Sequence, residues 1–342
     1  MKAMLIVTAI ALLSAFQGPP QTTGPLTFVQ KIDLPDVPTF PYADHLAVDV
    51  KGHRLFAVFS GSKAVIVSDI NTGKVIQNIH IEDPHTILYR EDLDQIYVTD
   101  GDTAGPGLKI FNGSDYHLVK SIKLLARSDS AEYDPQTKYF YVVNGGGEAK
   151  LDYSLLSVID TTKGEVVGDI KIPSRSLEPM VLEHPGPRLF VTMRDKDQVG
   201  VVDRDKRTLL QTWPITKGHD PSAIAIDEKH HRLFVACRDT DMHGHIVIFD
   251  TQTGKEIDAL PIDGKVDGLA FDPATGRLYA PCGTGQIDVY QQRDADHYTL
   301  IGKAETGIMA KTGLLVPELH RYFCSVPCIG TQSAKILVFQ TN

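Results

Sequence analysis

A short hydrophobic phrase recurs seven times along this chain and constrains its fold more than any other feature. The clearest copies are QIYVTD at 95–100, YFYVVN at 139–144, RLFVTM at 188–193, RLFVAC at 232–237 and RLYAPC at 277–282. Weaker copies are RLFAVF at 54–59 and RYFCSV at 321–326. Successive copies begin about 41 to 49 residues apart, a period typical of β-propeller blades and not of helical solenoids.

The repeat that contains RLFVAC predicts the four strands of one blade. These strands are PSAIAID at 221–227, RLFVAC itself, HIVIFD at 245–250 and KEIDALPI at 255–262. The last two are joined by TQTG, in which Gly254 suits the positive φ of a tight hairpin. Four antiparallel strands make one propeller blade. Seven such repeats therefore predict an all-β fold, a seven-bladed β-propeller of four-stranded antiparallel blades.

The last repeat is one strand short, because the chain ends after AKILVFQTN. The segment LTFVQKIDLP at 26–35 resembles the outer-strand sequence GKVIQNIHIE. We expect this N-terminal strand to complete the last blade and close the ring, which would leave no open sheet edge. Residues 26–342 are then a single propeller domain.

The repeats resemble the YVTN-repeat family of YncE-like, mostly exported, seven-bladed β-propellers. The resemblance lies in the strands IYVTD and FYVVN and in the Asp-x-x-(Thr/Lys)-Gly turns, and it extends over about residues 26–342. It implies the propeller fold. The family has no single shared activity, so the resemblance implies no particular function.

The N-terminus has the composition of a secretory signal peptide. Lys2 supplies the positive charge, and Met4 to Leu13 is an apolar run of suitable length. We expect residues 1–18 to be the signal peptide, residues 19–25 a linker, and the mature protein to be periplasmic or extracellular. An uncleaved anchor is the alternative, but the apolar run is well short of the ~20 residues of a bilayer span. No other segment predicts a membrane span.

Composition narrows the range of partners. A net charge of −9 without a long Lys/Arg run argues against nucleic acid, which basic surfaces bind. We expect a monomer whose partner is a small molecule or a protein. The four cysteines all lie in the last third of the chain, and the sequence does not decide whether Cys237 and Cys282 pair or are simply buried.

Candidate site residues emerge when the repeats are aligned. In a propeller the start of each innermost strand and the end of each second strand lie on one face, around the mouth of the axial channel. The first position is occupied by Asp44, His85, Asp129, Glu178, Ser222, Asp267 and Thr312. His45 and His219 lie close to it, and the second position adds Asp100, Arg194 and Arg238.

Three interpretations of these residues stay open. They are structural, capping turns and strands. They bind a divalent metal ion through His45, His85 or His219 with nearby carboxylates. Or they form an enzyme pocket in which crowded carboxylates raise one another's pKa and one acts as a general acid or base. For Arg194 and Arg238 the alternatives are a substrate carboxylate and salt bridges within the acidic ring.

The sequence therefore predicts an exported propeller that binds a small molecule, an ion or a protein at the channel mouth. The alternative is a propeller enzyme, a lyase, hydrolase or epimerase, that uses the Asp/Glu/His funnel with or without a metal. No substrate is identified by the sequence.

Overall fold

Almost all regular structure in residues 24–40 and 42–342, the part that the computed structural model describes, is β-strand. The helical elements of that part are three single turns of 3-10 helix at Ser60–Ser62, Arg194–Lys196 and Pro317–Leu319. None of its helices has the length and hydrophobicity to cross a membrane. The predicted signal peptide, residues 1–18, lies outside the described residues.

The strands are short and evenly spaced. In chain order they are Leu26–Asp33 (β1), Leu46–Asp49 (β2), Arg54–Phe59 (β3), Ala64–Asp69 (β4), Val75–His80 (β5), Pro84–Arg90 (β6), Gln95–Asp100 (β7), Gly107–Asn112 (β8), Leu118–Lys123 (β9), Ala131–Asp134 (β10), Tyr139–Gly145 (β11), Ser154–Asp160 (β12), Glu165–Ile172 (β13), Leu177–Leu182 (β14), Arg188–Met193 (β15), Gln198–Asp203 (β16), Thr208–Pro214 (β17), Pro221–Asp227 (β18), Arg232–Cys237 (β19), His243–Asp250 (β20), Glu256–Asp263 (β21), Ala270–Asp272 (β22), Arg277–Cys282 (β23), Gln286–Gln292 (β24), Tyr298–Glu305 (β25), Gly313–Val316 (β26), Arg321–Val326 (β27) and Lys335–Thr341 (β28).

These strands form seven four-stranded antiparallel blades, which confirms the predicted propeller. From the axis outward, blades 1 to 6 contain β2–β5, β6–β9, β10–β13, β14–β17, β18–β21 and β22–β25. Blade 7 contains β26, β27 and β28, with β1 as its outermost strand. We call the face on which the innermost strands begin the mouth face.

The N-terminal strand closes the ring as predicted. β1 pairs antiparallel with β28, from Leu26 opposite Thr341 to Asp33 opposite Lys335. The side-chain amide of Asn342 donates a hydrogen bond to the Gly24 carbonyl at 2.9 Å. Because strand direction alternates within a blade, the third strand ends and the fourth begins on the face opposite the mouth. Both ends of the described chain therefore lie on that far face.

Blade 5 shows how closely the repeat predicts the strands. Its first two strands, β18 and β19, have the predicted bounds. The third, β20, begins at His243, two residues earlier than predicted, because His243 still pairs with Asp263 of the outer strand. The outer strand, β21, begins and ends one residue later than predicted.

The recurring phrase is continuously hydrophobic because the second strand of each blade is buried on both faces. In β19, Leu233 and Val235 pack against blade 4 around Trp213. Phe234 points the other way and packs against blade 6 around Leu278. The core is thus a ring of hydrophobic layers between neighbouring blades. Packing in these layers fixes the position at which each innermost strand begins.

All four cysteines are free thiols, and Cys237 and Cys282 do not pair. Both are completely buried, and each thiol lies near a carbonyl of its own strand. Burial raises the pKa of the Cys282 thiol, which opposes formation of a reactive thiolate. They are small core residues, the second of the two alternatives left by the sequence.

Candidate functional site

A cavity of ≈ 490 Å³ opens at the mouth face, where the innermost strands begin. Every blade contributes at least one charged side chain to its wall. In blade order these are Asp44, His85, Asp129, Glu178, Arg238, Asp267 and Lys311. Phe40 and Tyr42 form an aromatic lip, with their ring centroids 5.4 Å apart. The blades therefore converge on one strongly polar pocket.

One side of the cavity is built around His85. Its Nδ1 lies 3.1 Å from Asp44 Oδ2 and 3.7 Å from Asp129 Oδ1. Its Nε2 lies 3.2 Å from Asp83 Oδ2. His45 Nδ1 contacts the other oxygen of Asp44 at 2.5 Å. We call Asp44, His85 and Asp129 the central triad, because their ligand atoms lie within 4.8 Å of one another.

Asp44 and His85 each stabilise the charged form of the other. Burial by itself would raise the pKa of Asp44, but hydrogen bonds from His45 and His85 hold it well below its usual range. Burial would lower the pKa of His85, but the charge of Asp129 and the contacts with Asp44 and Asp83 raise it well above its usual value. Both shifts favour a protonated His85 beside an ionised Asp44.

Next to this group, on blades 3 to 5, is a network of ion pairs centred on Glu178, and Arg127 contacts both Glu178 and Asp129. Glu178 Oε1 accepts a hydrogen bond from Arg127 at 3.1 Å and another from Arg194 at 3.2 Å. Arg194 also binds both carboxylate oxygens of Asp220. Despite the two arginines, burial and the charge of Asp129 raise the pKa of Glu178. The raised pKa favours the protonated form of Glu178, whereas the pKa of Asp44 is lowered.

A second ion-pair group lies on blades 5 to 7. Asp267 binds both Arg238 and Lys311, the latter at 2.5 Å. Arg238 also donates from Nε to the Val266 carbonyl at 2.6 Å. Burial lowers the pKa of both basic residues, and repulsion by a neighbouring arginine lowers it further. One carboxylate between two cations leaves this corner with excess positive charge.

Eight of the ten candidate residues line the cavity: Asp44, His45, His85, Asp129, Glu178, Arg194, Arg238 and Asp267. Arg194 and Arg238 make salt bridges with carboxylates at the mouth, one of the two roles considered for them.

Asp100 and His219 do not line the cavity. Asp100 is buried beside it and accepts a hydrogen bond from the backbone N–H of Asp83 at 3.1 Å, so it supports the loop that carries Asp83. His219 is exposed on the rim and pairs with Asp197 at 3.1 Å. It is not part of the group of possible ligand atoms around His85.

At two positions of the aligned ring the side chain is structural. The Ser222 hydroxyl donates to the Val266 carbonyl of the next blade at 2.8 Å. The Thr312 hydroxyl donates to the Asp44 carbonyl at 2.9 Å. These bonds join adjacent blades, which accounts for a hydroxyl where the other blades carry charge.

Of the eight wall residues that the sequence argument missed, four reach the cavity from the loops before the innermost strands: Tyr42, Asp83, Arg127 and Lys311. Each lies one or two residues before an aligned ring position. The loops that enter the innermost strands turn over the mouth, so the preceding side chains reach the cavity too. A wider alignment window would have included them.

Comparisons with known proteins support the fold alone. No protein-family model matches the chain, and no curated protein matches it in sequence. Among solved structures it is similar to a chain of Kuenenia stuttgartiensis hydrazine synthase, with a TM-score of 0.71 and 17% identity. The match covers 85% of this chain and 94% of that one. In all, 1556 solved chains match, so a fold this widespread does not indicate one activity.

Proposed function

We propose that this protein is a binding protein that holds a small, charged or strongly polar molecule or ion in the cavity at its channel mouth. The observation that carries the proposal is the convergence of charged side chains from all seven blades on one pocket of ≈ 490 Å³. That volume is in the range of small-molecule sites, about 300–1,000 Å³.

The polarity of the wall supports a charged ligand. Buried ion pairs are weak contributors to stability, since their desolvation cost offsets most of the attraction. If the ring positions served only to join adjacent blades, hydroxyl side chains such as those of Ser222 and Thr312 would serve equally well. The separation of a carboxylate-rich side around His85 from a cation-rich corner around Arg238 instead offers contacts for opposite charges.

The test is a thermal-shift screen of tag-free protein against small carboxylates, phosphates, amines and divalent-metal salts. A ligand at 100 times its Kd adds about 2.7 kcal/mol to stability and raises the Tm measurably. We expect at least one compound to stabilise the wild type and to lose this effect in Lys311→Met, which removes a cavity charge.

Lys196→Met is the matched control, because Lys196 is exposed and does not line the cavity. It should respond like the wild type. If no compound stabilises the protein, or if Lys311→Met and Asp129→Asn both respond fully to every compound that does, the proposed binding role of the cavity is wrong.

One observation favours the enzyme as a second candidate function. Glu178 is 7% exposed, faces the cavity and has a raised pKa, as a general acid requires. The same screen decides between the two functions. Compounds recovered unchanged after incubation indicate binding, whereas conversion by the wild type and not by Glu178→Gln indicates catalysis.

Export is part of the proposal and rests on the composition of residues 1–18. Expression of the full chain in a bacterium should yield periplasmic protein whose intact mass corresponds to a start near residue 19. Cytoplasmic protein with its N-terminal segment intact would contradict it.

A further inference from the structure

We infer that Asp44, His85 and Asp129 form a binding site for one divalent first-row transition-metal ion, with Zn²⁺ as the best-matched probe. The inference rests on the proposed function, because the site occupies one side of the same cavity. It names the class of ligand that this side takes.

The geometry of the three ligand atoms carries the inference. His85 Nδ1 is 3.1 Å from Asp44 Oδ2 and 3.7 Å from Asp129 Oδ1, and one ligand atom of each of the three residues lies within 4.8 Å of the other two. Ligands about 2.0–2.2 Å from a zinc ion are about 3.4 Å apart in a tetrahedron. A small closing movement of the Asp129 side chain therefore suffices to bring all three onto one ion.

Each of the three proposed ligands also makes a second polar contact, through the atom that would not bind the metal. Asp44 Oδ1 contacts His45 at 2.5 Å, Asp129 Oδ2 contacts Arg127 at 3.2 Å, and His85 Nε2 contacts Asp83 at 3.2 Å. Outer contacts of this kind orient the ligands of metal sites. A proton on Nε2, directed at Asp83, leaves Nδ1 as the coordinating nitrogen.

A second observation points to a missing partner. Asp129 is only 8% exposed, yet its carboxylate accepts no hydrogen bond from any residue in the described part of the chain, and its contacts are the two ion pairs. A buried carboxylate normally has hydrogen-bond donors on its oxygens. Its Oδ1 is 3.7 Å from His85 Nδ1, which is longer than a hydrogen bond and leaves this oxygen available to a cation.

The donor set decides the class of metal. One imidazole nitrogen with two carboxylates suits Zn²⁺ and its neighbours better than Ca²⁺, which takes six to eight oxygens. Two carboxylates neutralise a divalent charge. Three protein ligands leave further coordination positions open, and these face the cavity, as in sites where a metal also holds a small molecule.

The experiment is isothermal titration of chelator-treated, tag-free protein with ZnCl₂, followed by MgCl₂ and CaCl₂ for comparison. We expect one Zn²⁺ per chain, bound more tightly than either alkaline-earth ion. Asp129→Asn and His85→Ala remove ligands and should abolish measurable binding. Asp83→Asn removes only the outer contact and should weaken it by about 10- to 100-fold.

His219→Ala is the matched control, since His219 is another mouth-face histidine paired with an aspartate. It should bind Zn²⁺ like the wild type. A crystal of the wild type soaked in Zn²⁺ gives a readout independent of any variant, with an anomalous peak expected beside His85 Nδ1.

No stoichiometric binding, equal binding by Asp129→Asn, or a peak elsewhere would overturn the metal site. In that case a compound that stabilises the wild type but not Lys311→Met would still support the proposed binding function. Failure of both experiments would contradict both the metal site and the proposed binding function.

Discussion

Glu132 is a channel-side residue whose ionisation opposes folding. It lies partly buried on β10, the innermost strand of blade 3. Burial raises its pKa to about 7, and a backbone hydrogen bond and the charge of His45 offset only part of this. Below pH 4.5 the carboxyl is protonated in both states. Between pH 4.5 and 7 the unfolded chain loses this proton first, so the stability of the fold falls as pH rises.

We therefore expect Glu132→Gln to stabilise the protein at pH 8 by about 1–3 kcal/mol and to have little effect at pH 5. Urea unfolding at the two pH values measures the difference. Glu305→Gln, at an exposed position on β25, should change stability at neither pH. An equal effect of Glu132→Gln at both values would show that packing, not ionisation, is responsible.

At the scale of single residues, the sequence predicts where charge gathers but not how it is paired. The aligned ring located Asp44, His85 and Asp129 because strand starts are set by the repeat. It did not include Arg127 or Lys311, because loop conformation decides which side chains before the strand turn inward. Pairing depends on distances of a few ångströms, which periodicity does not specify.

At the scale of the element, β1 links the two ends of the chain through its inward side chains. Ile32 is fully buried between blades 7 and 1, in contact with the cluster that includes Leu55 and Phe323. Val29, on the same strand, is 44% exposed. The strand was predictable because its sequence resembles the other outer strands. Its burial was not predictable from simple alternation, because a register shift follows Phe28, which is exposed although Ile32 has the same parity and is buried.

Ile32→Ala should lower the free energy of unfolding by about 2–5 kcal/mol, the usual cost of a large cavity in a core. Val29→Ala should stay within about 0.5 kcal/mol of the wild type. Trp213, the single tryptophan, is 5% exposed and stacks on Phe249 at 6.1 Å between the ring centroids, so its fluorescence can report unfolding. Similar losses in both variants would mean that β1 does not close the ring in solution.

At the scale of the whole molecule, the repeat period determined the architecture and left the ligand open. The spacing of the repeats predicts the strand order within each blade, and the resemblance of residues 26–35 to the other outer strands predicts how the ring closes. The wall of the cavity is formed by positions at which the sequences of the blades differ. Which molecule the proposed site would hold depends on the shape and charge of a wall built from all seven blades, and no single segment encodes that shape.

The closure by β1 and β28 also sets the orientation of anything attached to the chain. Gly24 and Asn342 lie side by side on the face opposite the mouth. A fusion partner, a surface linker or a membrane tether joined directly to Gly24 or Asn342 would therefore begin on the face away from the cavity. A molecule immobilised in this way would present its mouth to the surrounding solution, open to incoming ligand.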